Sequence, residues 1–494
     1  MRFDARQYKD VWKSLGWLLL AILASRLTKG AAIAVIALAG LLAMGKNRPG
    51  LTILCYMLMP LLVIVNISLR GEGALFGYLS RLCPIAMTML VVLQAMKRTG
   101  RHSIPLGFLY VYLVVATVSS ISGWCPLVSY LKVLNFLVFL VGIHLGTMNL
   151  HHYYGDLRLL RNGFLAFSVF IIFGSIITIL FPSIGYSMFI TGMSQWVEIY
   201  DAKAFIENFQ GLKLFSGVTN HSQCLSPMVV SCAAWCLLDM LYIERRFSWL
   251  HISLICSSPI LLYMTRSRMG FVGFAFAMML VYVWVIPKAR VGVVVKRQMQ
   301  RMFTALALVA ILAMIVVQAR DQTMSKWLRK TNAVESDQRD MAESVTVTRL
   351  GLINENLRDF QRNPMWGMGF QTSEQHKYLY QMGRISLFSA PIEKGVLPLM
   401  ILGETGAVGV FVFLIFLFSF YATCIRKSYV CTTALMSVYL VLNLADASFF
   451  SPGGLGSSLW IVLVCGGFTI DMIAVVEARQ MRMCPIPIER QFRF

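Results

Sequence analysis

Residues 397–422 read LPLMILGETGAVGVFVFLIFLFSFYA, an apolar run whose single charge is Glu404. As a helix rising 1.5 Å per residue it is about 39 Å long, more than the roughly 30 Å hydrocarbon core of a bilayer. Pro398 suits the first turn of such a helix, where its missing N–H has no intrahelical partner to lose. The stretch therefore reads as a membrane span, and the fold class turns on whether the rest of the chain repeats it.

Comparable runs lie near 51–69, 104–121, 129–147, 163–182, 222–242, 302–319, 429–447 and 457–476. Shorter or charge-bearing ones lie at 14–25, 30–45, 76–96, 250–265 and 268–287. The expected fold is all-α, a polytopic membrane protein of about 14 transmembrane helices. Composition agrees: 57% hydrophobic and 14% charged residues over 494 positions exclude a string of soluble domains. The expected organisation is N-terminal helices in 1–182, a first outer loop at 183–221, helices in 222–319, a large outer loop at 320–396 and C-terminal helices in 397–494.

The charge balance, 44 Lys+Arg against 23 Asp+Glu, would suggest a nucleic-acid partner in a soluble protein. Threading the chain with its N-terminus in the cytoplasm places 1–13, 46–50, 97–103, 148–162, 243–249, 288–301, 423–428 and 477–494 inside. These segments hold 24 of the 44 basic residues against six acids, Asp4, Asp10, Asp156, Glu244, Glu477 and Glu489. The opposite threading would put Lys288, Arg290, Lys296, Arg297 and Arg301 outside, against the positive-inside rule. Both termini are thus expected in the cytoplasm. The excess charge reports orientation and attraction to anionic membrane lipid, with no nucleic acid implied. Arg2, Arg6, Lys9 and Lys13 before a short apolar run look like a secretory signal, but a second apolar run follows at once, so a retained hairpin is expected. The eleven cysteines show neither a disulfide framework nor metal-ligand spacing.

The large outer loop carries apolar positions at helical spacing, Val345, Leu350, Ile353, Leu357 and Phe360, within a helix expected over 337–360. It ends before Asn363-Pro364, since the residue preceding a proline disfavours the helical region. Met365-Trp366-Gly367-Met368-Gly369-Phe370 then forms a glycine-punctuated turn, and the whole reads as a partly helical extracytoplasmic subdomain.

Three groups of polar residues stand against this background. Thr265-Arg266-Ser267-Arg268-Met269-Gly270 puts two arginines in a tight outer turn. They are either snorkelling cations or, with the N–H groups of the helix that follows, an anion site suited to phosphate. Arg349 adds a third cation or sits on a solvated helix face. Glu393-Lys394-Gly395 precedes Glu404-Thr405-Gly406 by eleven residues, about three turns if one helix carries both carboxylates. A carboxylate beside an anion site suits general-base activation of a sugar hydroxyl, whereas Glu404 alone also suits a hydrogen bond between helices. Gly217-Val218-Thr219-Asn220-His221-Ser222-Gln223 offers His221 and Gln223 to sugar hydroxyls or to a helix cap.

Taken in order, Gly217-x-x-x-His221-x-Gln223, Ser267-Arg268 opening a span, Arg349 before Asn363-Pro364-Met365-Trp366-Gly367-Met368-Gly369, Glu393-Lys394-Gly395, and Glu404-Thr405-Gly406-x-x-Gly409 resemble the bacterial O-antigen ligase and polymerase superfamily. The resemblance covers about 217–409. It implies an inner-membrane, inverting, metal-independent glycosyltransferase that needs no cofactor and joins undecaprenyl-pyrophosphate-linked glycans at the periplasmic face. By that resemblance Arg268 and Arg349 hold the donor pyrophosphate, with Arg266, Lys394, Glu404, His221 and Gln223 as further substrate contacts. Ligases of the family, which attach O-antigen to lipid A-core, carry a His-Asn pair about nine residues before the Glu-x-Gly, and Gly395 and Val396 stand there in this chain. The Glu393-Lys394-Gly395 and His221-x-Gln223 variants look more like exopolysaccharide, capsule or O-antigen polymerases. Glu393 is then the expected base, Lys394 is oriented to the phosphate or paired to Glu393, and a flippase and a chain-length regulator are expected partners. A ligase and a flippase of lipid-linked glycan are the alternative readings. For a flippase, Arg81, Lys132, Asp239, Asp446 and Asp471 are the possible intramembrane charges.

Overall fold

The computed structural model describes residues 9–27, 36, 39–40, 42, 48, 103–150, 154–180, 215, 217–219, 222–265, 267–289, 292–293, 296–301, 303–304, 341–381, 395–444, 447–451 and 455–483, with the backbone alone over 21–27, 149–150, 179–180, 222, 341–350, 375–376, 379–380 and 480–483. Of these residues 85% are helical and none lies in a strand, so the protein is all-α across them. In chain order the helices are α1 (Lys9–Leu27), α2 (Gly107–Ile121), α3 (Pro126–Leu150), α4 (Tyr154–Leu180) and α5 (Ser222–Asp239), which a π-helical turn extends over Met240–Glu244. Next come α6 (Trp249–Thr265) and α7 (Arg268–Leu280), continued through π-helical Val281–Val285 to Lys288. The remainder are α8 (Met341–Arg362), α9 (Glu374–Gln381), α10 (Leu397–Arg426), α11 (Val430–Asn443), α12 (Leu455–Leu459) and, after a π-helical stretch, α13 (Gly466–Met483).

Six segments are long and apolar enough to cross a membrane: Pro126–Met148, Tyr154–Thr178, Gln223–Glu244, Arg268–Lys288, Leu397–Arg426 and Leu455–Arg479. Gly107–Ile121, Trp249–Thr265 and Val430–Asn443 are shorter apolar helices. These nine coincide with nine of the runs read from the sequence, and α1 covers the run at 14–25. The runs at 30–45, 51–69, 76–96 and 302–319 lie wholly or largely outside the described residues, as do Arg81 and Asp446.

A helix that is apolar all round belongs inside a bundle. α5 shows this: Leu225, Met228, Val229, Val230, Cys232, Trp235 and Leu238 are buried on every side among α4, α6, α7 and α11. α10 instead exposes Phe411, Leu414, Phe418 and Ile425 along one flank, the surface a lipid-facing helix presents. The described cysteines are free and mostly buried, as small apolar packing residues.

Three ions that sequence marked as possible transport groups have structural partners. Arg161 of α4 clasps Asp239 of α5 at 2.8 and 2.7 Å, and His251 of α6 meets the same carboxylate at 2.9 Å. Asp471 of α13 accepts from the Cys431 and Thr432 N–H groups at 3.0 and 2.9 Å, capping the start of α11 where unsatisfied N–H groups favour an anion. Lys132 of α3 donates to the Gln371 carbonyl at 2.7 Å. The first two lie at the end of the bundle that holds the basic loops, and the third lies toward the other end.

Candidate functional site

α10 breaks at Gly406, whose φ of 63° and ψ of −165° are all but restricted to glycine. The break strips backbone groups on both sides of their helical partners, and the turn after α8 replaces them. Met368 N–H donates to the Gly403 carbonyl at 2.9 Å and Gly369 N–H to that of Glu404 at 3.0 Å. In return Ala407 and Val408 N–H donate to the carbonyls of Pro364 and Met365, at 2.8 and 3.3 Å. Ser119 Oγ of α2 also donates to the Glu404 carbonyl. The Asn363–Gly369 stretch and Glu404-Thr405-Gly406, separate in sequence, are therefore two halves of one junction.

The α2–α3 connection fastens this junction from the other side. Trp124 N–H donates to Met368 O at 3.0 Å, Asn363 Nδ2 to Ser122 Oγ at 3.1 Å, and Ser129 Oγ to Phe370 O at 2.9 Å. Trp124 Nε1 donates to Asp359 of α8 at 3.1 Å. α8 ends at Arg362, just before Asn363-Pro364, as the sequence predicts. Its buried face differs from the predicted apolar stripe: Asn356 and Asp359 are buried whereas Leu357 is 38% exposed. The reason is the partner. α8 packs closely on Gly403 at Asn356, whose Nδ2 donates to the Leu352 carbonyl of its own helix at 2.9 Å, while Asp359 is held by the Trp124 indole N–H, which calls for an acceptor.

Glu404 is fully buried about 10 Å along α10 from Leu397, and its carboxylate interacts electrostatically with Tyr112. α10 starts at Leu397, beyond Glu393, so one continuous helix does not carry both carboxylates and the three-turn spacing has no bearing. Glu393, Lys394, Arg266 and His221 lie outside the described residues. The described chain resumes at Gly395, with φ 78° and its carbonyl accepting from Ala447 N–H at 2.9 Å. A Cβ on Gly395 would stand 3.3 Å from Cβ of Leu352, which lies three residues, one turn, beyond Arg349 on α8. The backbone of Arg349 is thus about one turn from the Gly395 contact.

Arg268 opens α7, behind the N-cap Ser267, whose hydroxyl accepts from Gly270 N–H at 3.2 Å. Gly270 seats α7 directly on the Ser226 hydroxyl of α5. Ser226 Oγ at this joint, and Arg268 Nε two residues before Gly270, are both shielded from solvent, and neither has a hydrogen-bond partner among the described residues. Gln223, exposed in the first turn of α5, precedes Ser226 by three residues and so shares its side of the helix. Sequence reading passed over Ser226, because a serine before Pro227 in an apolar run looks like packing.

Two helix groups thus meet at one end of the bundle. Arg268, Gln223 and Ser226 belong to α5 and α7, while Glu404 and the Arg349 backbone belong to α8 and α10. They are joined through α11: Gly273 of α7 packs on Leu442, Asn443 Oδ1 accepts from Ser448 N–H at 2.8 Å, and Ala447 bonds Gly395. Residues 252–414 match the family model described as O-antigen ligase. The matched stretch contains Arg268, Arg349, Glu393 and Glu404 and supports the resemblance to the O-antigen ligase and polymerase superfamily, whose members act on lipid-linked glycans. No curated protein matches the chain.

Proposed function

We propose, from the O-antigen ligase match at 252–414, that the protein is an inverting membrane glycosyltransferase that polymerises undecaprenyl-pyrophosphate-linked repeat units at the periplasmic face of the inner membrane. The observation that carries the reading is Arg268: a guanidinium at the mouth of α7 whose shielded Nε has no acceptor among the described residues suits a pyrophosphate oxygen. Arg349 supplies a second cation from α8, and Arg266 and Lys394 reinforce the same charge. A non-reducing-end hydroxyl of one lipid-linked glycan attacks the anomeric carbon of another. The new C–O bond forms as the bond to the phosphate oxygen breaks, the hydroxyl proton passes to Glu393, and undecaprenyl pyrophosphate departs with its charge held by the arginines. Glu404 supports this site through the junction, and His221 and Gln223 contact the sugars.

The match to a family described as O-antigen ligase favours a second reading, ligation of the glycan to lipid A-core. Gly395 weighs toward polymerisation. It stands where the family's ligases carry histidine, and its left-handed backbone packed on Leu352 makes a side chain there strained. The test is a deletion strain complemented with wild type or Arg268→Ala and assayed by gel for surface glycan. Loss of high-molecular-weight polymer with lipid A-core capping intact supports polymerisation. Loss of capping supports ligation, and full-length polymer from the variant overturns the pyrophosphate role.

A further inference from the structure

At the end of the bundle that carries the basic loops, Phe247, Trp249 and Ile252 at the start of α6 face Gln298 and Arg301 across a groove. Its volume of about 320 Å³ is at the lower end of small-molecule sites, enough for a lipid headgroup and glycerol but not a whole lipid. We propose that this groove binds one anionic phospholipid, with the headgroup phosphate at Arg301 and an acyl chain along α6.

Charge points to the anion. Residues 288–301 contain Lys288, Arg290, Lys296, Arg297 and Arg301 and no acid. Several nearby charges are already engaged: Lys288 sits 3.8 Å over the Trp284 ring, Lys296 donates to Pro287 O at 3.3 Å, and Glu244 is held by Arg161 and Arg246. Arg301 has no such partner among the described residues, and it lines the groove.

Shape points to a lipid as the source of that anion. Ile252, Cys256, Ile260 and Met264 recur every fourth residue, so they form one stripe along α6 leading away from the groove. Cys256 is exposed, Ile260 is 57% exposed and Met264 is 37% exposed, leaving a track open to an acyl chain. Trp249, 62% exposed at the groove's lip, is the residue type that favours the membrane–water interface. A soluble phosphate would use Arg301 and ignore the stripe.

The test is native mass spectrometry of the full-length protein in detergent, titrated with phosphatidylglycerol, phosphatidylcholine or glycerol 3-phosphate. Wild type should retain one phosphatidylglycerol in preference to phosphatidylcholine, and glycerol 3-phosphate should not displace it. Arg301→Gln should weaken retention about fivefold, and Trp249→Ala should weaken it too. Arg297→Gln, exposed and outside the groove, should leave it unchanged. Thermal unfolding of each variant without lipid should match wild type, which separates lost binding from lost folding. Equal retention of phosphatidylcholine, displacement by glycerol 3-phosphate, or equal weakening by Arg297→Gln would each overturn the proposal.

Discussion

Gly406 of α10 and Met365 of the turn after α8 are in direct backbone contact, close enough that a Cβ on Gly406 would strike the Met365 carbonyl and stand 2.7 Å from the Trp366 nitrogen. The contact exists because Gly406 abandons helical geometry, and it lets the turn supply the hydrogen bonds that the helix gives up. Gly406→Ala sets a side chain into a glycine-only conformation, about 1–3 kcal/mol of strain, and against backbone that cannot swing aside. The expected outcome is a lower melting temperature in detergent together with loss of polymer. An alanine variant with wild-type melting and polymer length would mean that the junction adapts.

The two carboxylates are expected to separate by phenotype. Glu393→Gln removes the proposed base and should lower polymerisation by about 10²–10⁴-fold without changing the melting temperature. Glu404→Gln is isosteric and keeps the carbonyl used by Gly369 and Ser119, so the folded protein should form and lose less activity. Initial rates with purified lipid-linked repeats, set beside melting curves, decide the order. The reverse order would make Glu404 the base.

Lys132→Met tests whether that intramembrane cation is structural. Its ammonium donates to the Gln371 carbonyl, and Gln371 Nε2 in turn donates to Phe450 O, so the lysine ties α3 to the turn region and to the loop after α11. Methionine keeps the length and drops the charge-assisted bond, a loss of about 1.5–3 kcal/mol. A clear fall in melting temperature is expected, with no change in any proton or ion flux in proteoliposomes. A change in flux at unchanged stability would revive a transport role.

What sequence made legible was what the solvent dictates. Spans such as 397–422 were readable because a bilayer forces apolar length, and α8 stopped at Arg362 because Pro364 forbids more. Hidden features were non-local hydrogen bonds. Lys132 and Gln371 are 239 positions apart, and Asp471 caps a helix 40 positions away. α8 buries Asp359 under the Trp124 indole N–H and Asn356 against Gly403, partners that no periodicity of apolar residues can announce. Gly406 stands in sequence only as part of the Glu404-Thr405-Gly406 group within an unbroken apolar span, and its backbone angles alone mark the break. The arginine turn was visible as a breach of charge topology, while Ser226, packed under Gly270 with no hydrogen-bond partner among the described residues, was not.

Arg268 and Ser226 offer the sharpest test of the anion site, because each has a shielded polar atom with no hydrogen-bond partner among the described residues, Arg268 opening α7 and Ser226 packed under Gly270 two residues on. Arg268→Ala removes a charge-assisted donor and should lower turnover about 10²–10³-fold, the range for losing one stabiliser of developing anionic charge. Arg268→Lys keeps the charge but loses the planar fork, so it should recover only part of that loss if two oxygens are held at once. Ser226→Ala keeps the size of the joint and removes one hydroxyl. It should cost little stability, since the hydroxyl has no partner among the described residues, and should raise KM for the lipid-linked donor more than it lowers kcat if the hydroxyl meets substrate. Steady-state kinetics on purified donor, with melting curves as the folding control, distinguish these outcomes. Full recovery by lysine would reduce Arg268 to a point charge, and Ser226→Ala with unchanged KM would confine that hydroxyl to packing.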